Sequence, residues 1–337
     1  MSKKTVLVTG GAGYIGSHAV RALLEKGFSV VVFDNLSRGH QEVIDVLKKK
    51  YGRLNMIVGD LRKPIDINLV FSQNKIDSVL HFAALCLVNE SMERPSEYFE
   101  NNVLGTLNLL TSMKKHQVKK LVFSSTCAVY GEAQYLPVDE EHPTCPANPY
   151  GESKLMAEKE IFWFSQLFSL KSVIFRYFNV AGASRDGLIG DSKKPSQLLV
   201  QNAVRGALKI APFKLTCPKV KTPDKSPIRD YVNVEDLVYA HVLALDHLEK
   251  SKNPYQIFNL GTGQGNSVLE IIKKVQEITG EKFSVKEGKK RKGEYARVYA
   301  DIGRVKTVLG WQPQKKLSET VKSLIAWYEK RPQGWSY

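Results

Sequence analysis

The first sixteen residues restrict the fold of this chain more than any other segment. An apolar run, Thr5–Thr9, leads straight into Gly10-Gly11-Ala12-Gly13-Tyr14-Ile15-Gly16, and a helical pattern follows at once. Gly10, Gly13 and Gly16 stand in GxxGxxG spacing. Glycine allows a tight turn and a close approach of backbone to a pyrophosphate. The helix that follows offers unpaired N–H groups and the positive end of its dipole to the same anion. A glycine loop alone would serve any strand–helix turn. Its place between a strand and a helix favours a dinucleotide cradle.

The first half repeats that alternation. Apolar, β-branched runs at Thr5–Thr9, Ser29–Phe33, Met56–Val58, Ser78–Phe82, Lys120–Ser124 and Ser172–Arg176 predict strands buried on both faces. Helical patterns at Gly13–Lys26, Gln41–Tyr51, Pro95–His116 and Pro149–Phe168 lie among them. The expectation is an α/β fold, a doubly wound parallel (Rossmann) sheet. From about Ala181 the pattern turns irregular, with helices expected at Ser196–Leu208, Val234–Leu248, Val268–Thr279 and Ser318–Lys330 and a returning strand at Gln256–Asn259. The predicted division is a nucleotide-binding domain over 1–178 and 230–260. A smaller, discontinuous C-terminal substrate domain takes 179–229 and 261–337.

Composition narrows the partners. The chain has 337 residues and a formal charge of +15, which favours anionic ligands. The most basic stretch, Lys286–Lys292, has Tyr295 as its one aromatic neighbour and no interleaved stacking platform, so nucleic-acid binding is not expected. No apolar run is long enough to span a membrane, and the first strand is too short for a signal-peptide core, which predicts a cytoplasmic protein. Cys86, Cys127, Cys145 and Cys217 form no CxxC pair and lie beside no histidine at ligand spacing, so neither a disulfide framework nor a metal site is expected.

Strand two ends at Asp34-Asn35, 18 residues after Gly16. A carboxylate there accepts hydrogen bonds from ribose hydroxyls and repels a 2′-phosphate, which favours NAD over NADP. Arg38 nearby keeps NADP open. Asp60, closing strand three, suits either an adenine contact or a turn cap. Tyr150 and Lys154 form a YxxxK on one helix face. An ammonium beside a phenol makes it a usable acid or base near neutral pH. Thr126 ends strand five, where hydroxyls face the ligand crevice of such sheets.

These motifs together are those of a known family. TGGAGYIG, DN, GD, HFAA, NNVLGT, SSTCAVYG, PYGESK and RYFN resemble the extended short-chain dehydrogenase/reductase family over nearly the whole chain. RYFNVAGA, RDYVNVEDL, NLGTGQGNSVLEI and the closing Arg331-Pro332-Gln333-Gly334 are similar to its UDP-glucose 4-epimerase branch. The resemblance implies a homodimer built on helices Pro95–His116 and Pro149–Phe168. It implies NAD lined by Tyr14, Ile15, Asp34, Asn35, Asp60, Leu61, Phe82, Ala83, Ala84, Asn101, Ser124 and Phe178, with Tyr150 and Lys154. Thr126, Tyr150 and Lys154 would be catalytic. Asn179, Gln197, Leu198, Arg229, Arg291 and Glu294 would hold the UDP-sugar. Gln197 and Glu294 stand where the family usually has Asn and Asp. Cys86 stands where well-studied members often have Lys.

The activity implied is inversion at C4 of a UDP-hexose through a transient 4-keto sugar. Tyr150 moves the hydroxyl proton, and NAD is regenerated. Val298 matches a position that is Tyr in members restricted to plain hexoses and small in members that also take N-acetylhexosamines. It is a candidate for substrate range, or simply a packed strand residue. Two rivals stay open: a pentose or uronate 4-epimerase, or a UDP-sugar decarboxylase, on the same sites; and an NAD-binding protein without catalysis.

Overall fold

The structure, a computed structural model, describes residues 4–194, 196–288 and 295–335. Its first part alternates as expected: β1 (Thr5–Thr9), α1 (Tyr14–Glu25), β2 (Ser29–Asp34), α2 (Gln41–Tyr51), β3 (Leu54–Val58), α3 (Pro64–Gln73) and β4 (Ser78–His81). There follow α4 (Val88–Glu93), α5 (Pro95–Tyr98), a π-helical stretch (Phe99–Leu104), α6 (Gly105–Lys115), β5 (Lys120–Thr126), α7 (Pro149–Phe168) and β6 (Lys171–Tyr177). The later part contributes β7 (Asn179–Ala181), α8 (Leu199–Ala207), β8 (Lys214–Leu215), β9 (Ile228–Arg229), β10 (Tyr231–Asn233), α9 (Val234–Lys250) and β11 (Tyr255–Leu260). β12 (Asn266–Ser267), α10 (Val268–Thr279), β13 (Lys286–Glu287), β14 (Arg297–Val298), α11 (Gly303–Leu309) and α12 (Leu317–Lys330) follow, and a 3₁₀ turn (Cys127–Val129) lies between β5 and α7.

Seven strands form one sheet in the order β11-β6-β5-β4-β1-β2-β3. The pairs β1–β2, β2–β3, β1–β4 and β4–β5 run parallel. This is the expected doubly wound sheet. Its strand order reverses between β1 and β4, and ligands of such sheets bind beyond the carboxyl ends of the strands at that switch point. Burial explains the composition of the strands: Val6, Leu7 and Val8 are all inaccessible to solvent. Each such side chain removed from water contributes about 1.5–3 kcal/mol. Leu7, Val31, Phe33, Val79, Leu121, Phe123 and Ile174 belong to one core cluster, together with Leu109 and Ile161 from the helices.

The expected helix Pro95–His116 is in fact three segments, with the π-helical stretch in its middle. Periodicity sees one continuous helical repeat there and cannot register the extra residue per turn. The short helices α3, α4 and α11 also had no counterpart in the sequence reading.

The chain divides into two compact units. The first takes Met1–Tyr130, Thr144–Arg176 and Val238–Phe258, and the second Gly131–Pro143, Tyr177–Leu237 and Asn259–Tyr337. In the second unit β10 pairs parallel to β7, and β9 lies between β12 and β14. Among the described residues no helix is long and apolar enough to cross a membrane.

Candidate functional site

In the first unit, the turn after β1 is shaped for a close-lying ligand. Gly10 has φ +70°, and a Cβ there would lie 2.6 Å from the Ala83 backbone nitrogen. A Cβ on Gly16 would lie 2.1 Å from the Gly10 carbonyl oxygen. Neither position admits any other residue without moving backbone. α1 begins at Tyr14; its N-cap, Gly13, has no side chain to cap the helix, and the first turn holds no acidic residue. The positive end of the helix is left to an anion from outside the helix, as a dinucleotide pyrophosphate would require.

The residues expected around a cofactor gather at the carboxyl ends of the strands. Asp34 closes β2, and its carboxylate accepts the Ala12 amide at 3.0 Å and the Leu36 amide at 2.9 Å. Burial pushes its carboxyl up, against those two hydrogen bonds. Each oxygen keeps acceptor capacity for a ribose hydroxyl. Asn35 donates to Asp60 at 3.4 Å and accepts the Ser37 amide at 3.0 Å. Asp60 caps its own turn through the Arg62 amide and is gripped by the Arg62 guanidinium, which holds its carboxyl down at about 2. Of the two roles the sequence left open for Asp60, the turn cap is therefore present. The buried Leu61 accepts Asn108 on its carbonyl at 2.9 Å. Beyond β4, the Phe82 ring packs on His241 at 4.9 Å, and Ala83 and Ala84 follow. Asn101 lies in the π-helical stretch and donates to Asn102 at 3.0 Å. Tyr14 is buried and Ile15 half-buried on the first turn of α1.

The expected reactive groups meet where β5 faces α7. Asn148 caps α7 by accepting the Gly151 amide at 2.9 Å, and Pro149 occupies its first turn. That start sets Tyr150 and Lys154 one turn apart on one face. The Tyr150 hydroxyl lies beside Thr126, whose own hydroxyl oxygen accepts the Ala128 amide at 3.1 Å. The Lys154 ammonium donates to the Ser124 carbonyl at 2.8 Å and lies 4.7 Å over the Phe123 ring. Burial pushes the Tyr150 phenol up, with Cys86 next, against the pull of the neighbouring Thr126 hydroxyl. Burial brings Lys154 down to about 8, opposed by Cys86 and Glu158. The ammonium is thus anchored on strand backbone rather than on the phenol, because β5 carbonyls end beside the helix turn that carries it.

Three groups that hold this corner were not read from the sequence. The Glu158 carboxylate accepts the Ser125 hydroxyl and both Arg176 Nε, at 3.1 Å, and Nη2, at 2.7 Å. Asn102 joins the Leu85 backbone to the Ser153 hydroxyl at 2.9 Å. Tyr98 sets the edge of its ring on Tyr150 at 6.3 Å. Glu158 was open to discovery, since it falls four residues after Lys154 on the same helix face. The others depend on contacts distant in sequence.

In the second unit, Phe178 is buried, and its amide donates to the Leu260 carbonyl at 3.1 Å. Asn179 begins β7, opposite Tyr231 of β10. Gln197 and Leu198 precede α8. Arg229 and Val298 face each other across β9 and β14. Arg229 donates to the Ile228 and Tyr295 carbonyls, at 2.9 and 2.8 Å. Val298 is almost wholly buried. Asp230, unremarked in the sequence, fastens this region by accepting Thr262, Gly263 and Ala300 amides. Arg291 and Glu294 lie outside the described residues.

The family model described as GDP-mannose 4,6 dehydratase matches residues 7–324. The chain belongs to the extended short-chain dehydrogenase/reductase family. Within that family it is similar to a UDP-glucose 4-epimerase of Halalkalibacterium halodurans, 42% identical over 98% of this chain and 97% of the relative. It is also similar to a probable UDP-arabinose 4-epimerase of Oryza sativa, 41% identical over 98% of this chain and 80% of the relative. A UDP-glucose 4-epimerase from Bifidobacterium longum, solved in complex with NAD+ and UDP, superposes with a TM-score of 0.93 at 37% identity, covering 98% of this chain and all of the other. The family resemblance read from TGGAGYIG through NLGTGQGNSVLEI is borne out.

Proposed function

We propose that this chain is an NAD-dependent 4-epimerase of UDP-hexoses that interconverts UDP-galactose and UDP-glucose. The observation that carries the reading is the Tyr150 phenol, beside Thr126 and with Lys154 one turn on, in the same unit as the glycine cradle. The family supports it, since relatives with this activity in their names match end to end.

NAD, when bound, supplies the acceptor and donor of the C4 hydride. The glycine turn and the uncapped end of α1 hold its pyrophosphate, and Asp34 its adenine ribose. In this environment the Tyr150 phenol is protonated near neutral pH, so it returns a proton to the C4 oxygen directly. Taking a proton up requires a cation near the phenol oxygen, and Lys154 is the ammonium this helix face carries. Thr126 shares the proton's hydrogen bond. Asn179, Gln197, Leu198, Arg229, Arg291 and Glu294 are the UDP-sugar contacts of this proposal. The cofactor belongs to 1–178 and 230–260, and the nucleotide sugar to 179–229 and 261–337. A homodimer completes it, supported by the apolar side chains that α7 leaves in solvent.

The test incubates the purified protein, without added NAD, with UDP-galactose, UDP-arabinose and UDP-N-acetylgalactosamine, and identifies the products. UDP-glucose from UDP-galactose is expected. Turnover of UDP-arabinose alone would move the reading to the pentose epimerases, a possibility that the rice relative keeps in view. No product from any of the three would overturn it.

A further inference from the structure

The loops that flank the glycine turn are tied to each other by an ion pair that the proposed reaction does not use. β1 lies between β2 and β4 in the sheet. The loop after β2 folds onto the glycine turn from one side: the His40 amide donates to the Ala12 carbonyl at 3.0 Å, and a Cβ on Gly39 would lie 2.8 Å from the Ala12 Cβ. The loop after β4 meets the same turn from the other side, at the Ala83–Gly10 contact. Arg38 comes from the first loop and Glu90 from α4, beyond the second. Their side chains form a hydrogen-bonded ion pair, 30% and 26% exposed. Joining the two loops takes the pair across the carboxyl end of β1, at the point where the strand order reverses.

The pair is braced from below. The Tyr98 hydroxyl accepts the Leu87 amide at 2.9 Å, and its one proton is shared between the Leu87 carbonyl at 2.8 Å and the Glu90 carboxylate at 2.7 Å. Tyr98 is itself fully buried and touches Tyr150 edge-on. Glu90 therefore has two donors in fixed positions, and its carboxyl is held below the usual range by Arg38 and Tyr98 in spite of its burial. An isolated surface ion pair would contribute little. A half-buried pair in a braced network holds its geometry.

We propose that Arg38 and Glu90 form a latch over the dinucleotide crevice that sets how slowly the bound cofactor leaves. The latch rests on the NAD reading above. It also accounts for Arg38, whose charge is committed to Glu90 rather than offered to a 2′-phosphate.

The experiment follows exchange of protein-bound NAD for isotopically labelled NAD in the holoenzyme. Arg38→Met and Glu90→Gln are each expected to speed exchange roughly tenfold, and the double variant to be no faster than the faster single. Exchanging the two charges, Arg38→Glu with Glu90→Arg, should return the rate to within a few-fold of the original. Molar salt should speed exchange in the original protein and not in the single variants. Faster exchange with Arg38→Met but not with Glu90→Gln would mean that Arg38 grips the cofactor itself, and would overturn the latch. So would additive effects, or rates unchanged in both. A purified protein that binds no NAD at all would instead sink the cofactor reading, and the latch with it.

Discussion

Tyr150 is the residue on which the proposed chemistry turns. Tyr150→Phe removes the proton carrier and keeps the ring that packs on Tyr98. Turnover of UDP-galactose should fall about 10²–10⁴-fold, while NAD stays bound; near-normal turnover would remove Tyr150 from the mechanism. In the proposed mechanism Lys154 sets an alkaline limit. Its ammonium, brought down to about 8 by burial, is present below that pH and lost above it. The pH profile of kcat should therefore decline with a midpoint near 8, and a flat profile from pH 7 to 9 would contradict the role given to Lys154. Val298 is the candidate for substrate range. It is buried opposite Arg229, and a tyrosine ring there would fill space that the smaller valine does not occupy. Val298→Tyr should suppress turnover of UDP-N-acetylgalactosamine and spare UDP-galactose. Comparing both substrates in both proteins decides it, and a wild type inert toward the acetylated sugar would end the idea. At this level the residue types and spacings of Thr126, Tyr150 and Lys154 were readable in advance. The Ser124 carbonyl as the seat of the ammonium was not, because it depends on where a strand 30 residues earlier in the chain stops.

The elements that matter most are α7 and its neighbours. One face of α7 is core, with Ala157 and Ile161 buried, and it carries Glu158 into the Arg176 pair. On another part of the helix one oxygen of the Glu160 carboxylate is buried without a hydrogen-bond partner, and burial alone pushes its carboxyl up to about 8. The sign follows from proton binding. The folded chain holds this proton more tightly than the unfolded chain, so Glu160 favours folding below its ordinary value of 4.5, and that contribution is lost as pH rises through 8. Glu160→Gln should accordingly stabilise the protein at pH 8, by on the order of 1 kcal/mol after allowance for its partial exposure, or roughly 2 °C in Tm. The gain should shrink toward zero near pH 4.5, and thermal unfolding at the two pH values measures it. Equal Tm values at pH 8 would mean that water satisfies the carboxylate. Periodicity found α7 with its correct ends, since Asn148 and Pro149 mark the start. It missed the π-helical interruption before α6, which shows itself only in hydrogen bonding.

The molecule as a whole leaves an apolar stripe in solvent. Trp163 is 59% and Leu167 64% exposed on α7, with Met156 on the same helix and Leu107 on α6 also exposed. Such patches mark association surfaces. Trp163→Glu combined with Leu167→Glu should convert the proposed homodimer to a monomer in light scattering; a wild type that is monomeric at all concentrations would refute the dimer. The alternation of strands and helices along the chain, the cradle at Gly10–Gly16 and the YxxxK face were legible because each depends on residues within one or two turns of chain. There, steric freedom, hydrophobic period and helix pitch act locally. The Glu158–Arg176 pair, the Tyr98 brace, the Arg38–Glu90 ion pair and the Asp230 fastening join residues 8 to 70 positions apart. Local pattern carries no term for such distances. Each of these charged or polar groups met its partner only when packing brought them together, wholly or partly out of water, and made an unmatched one costly.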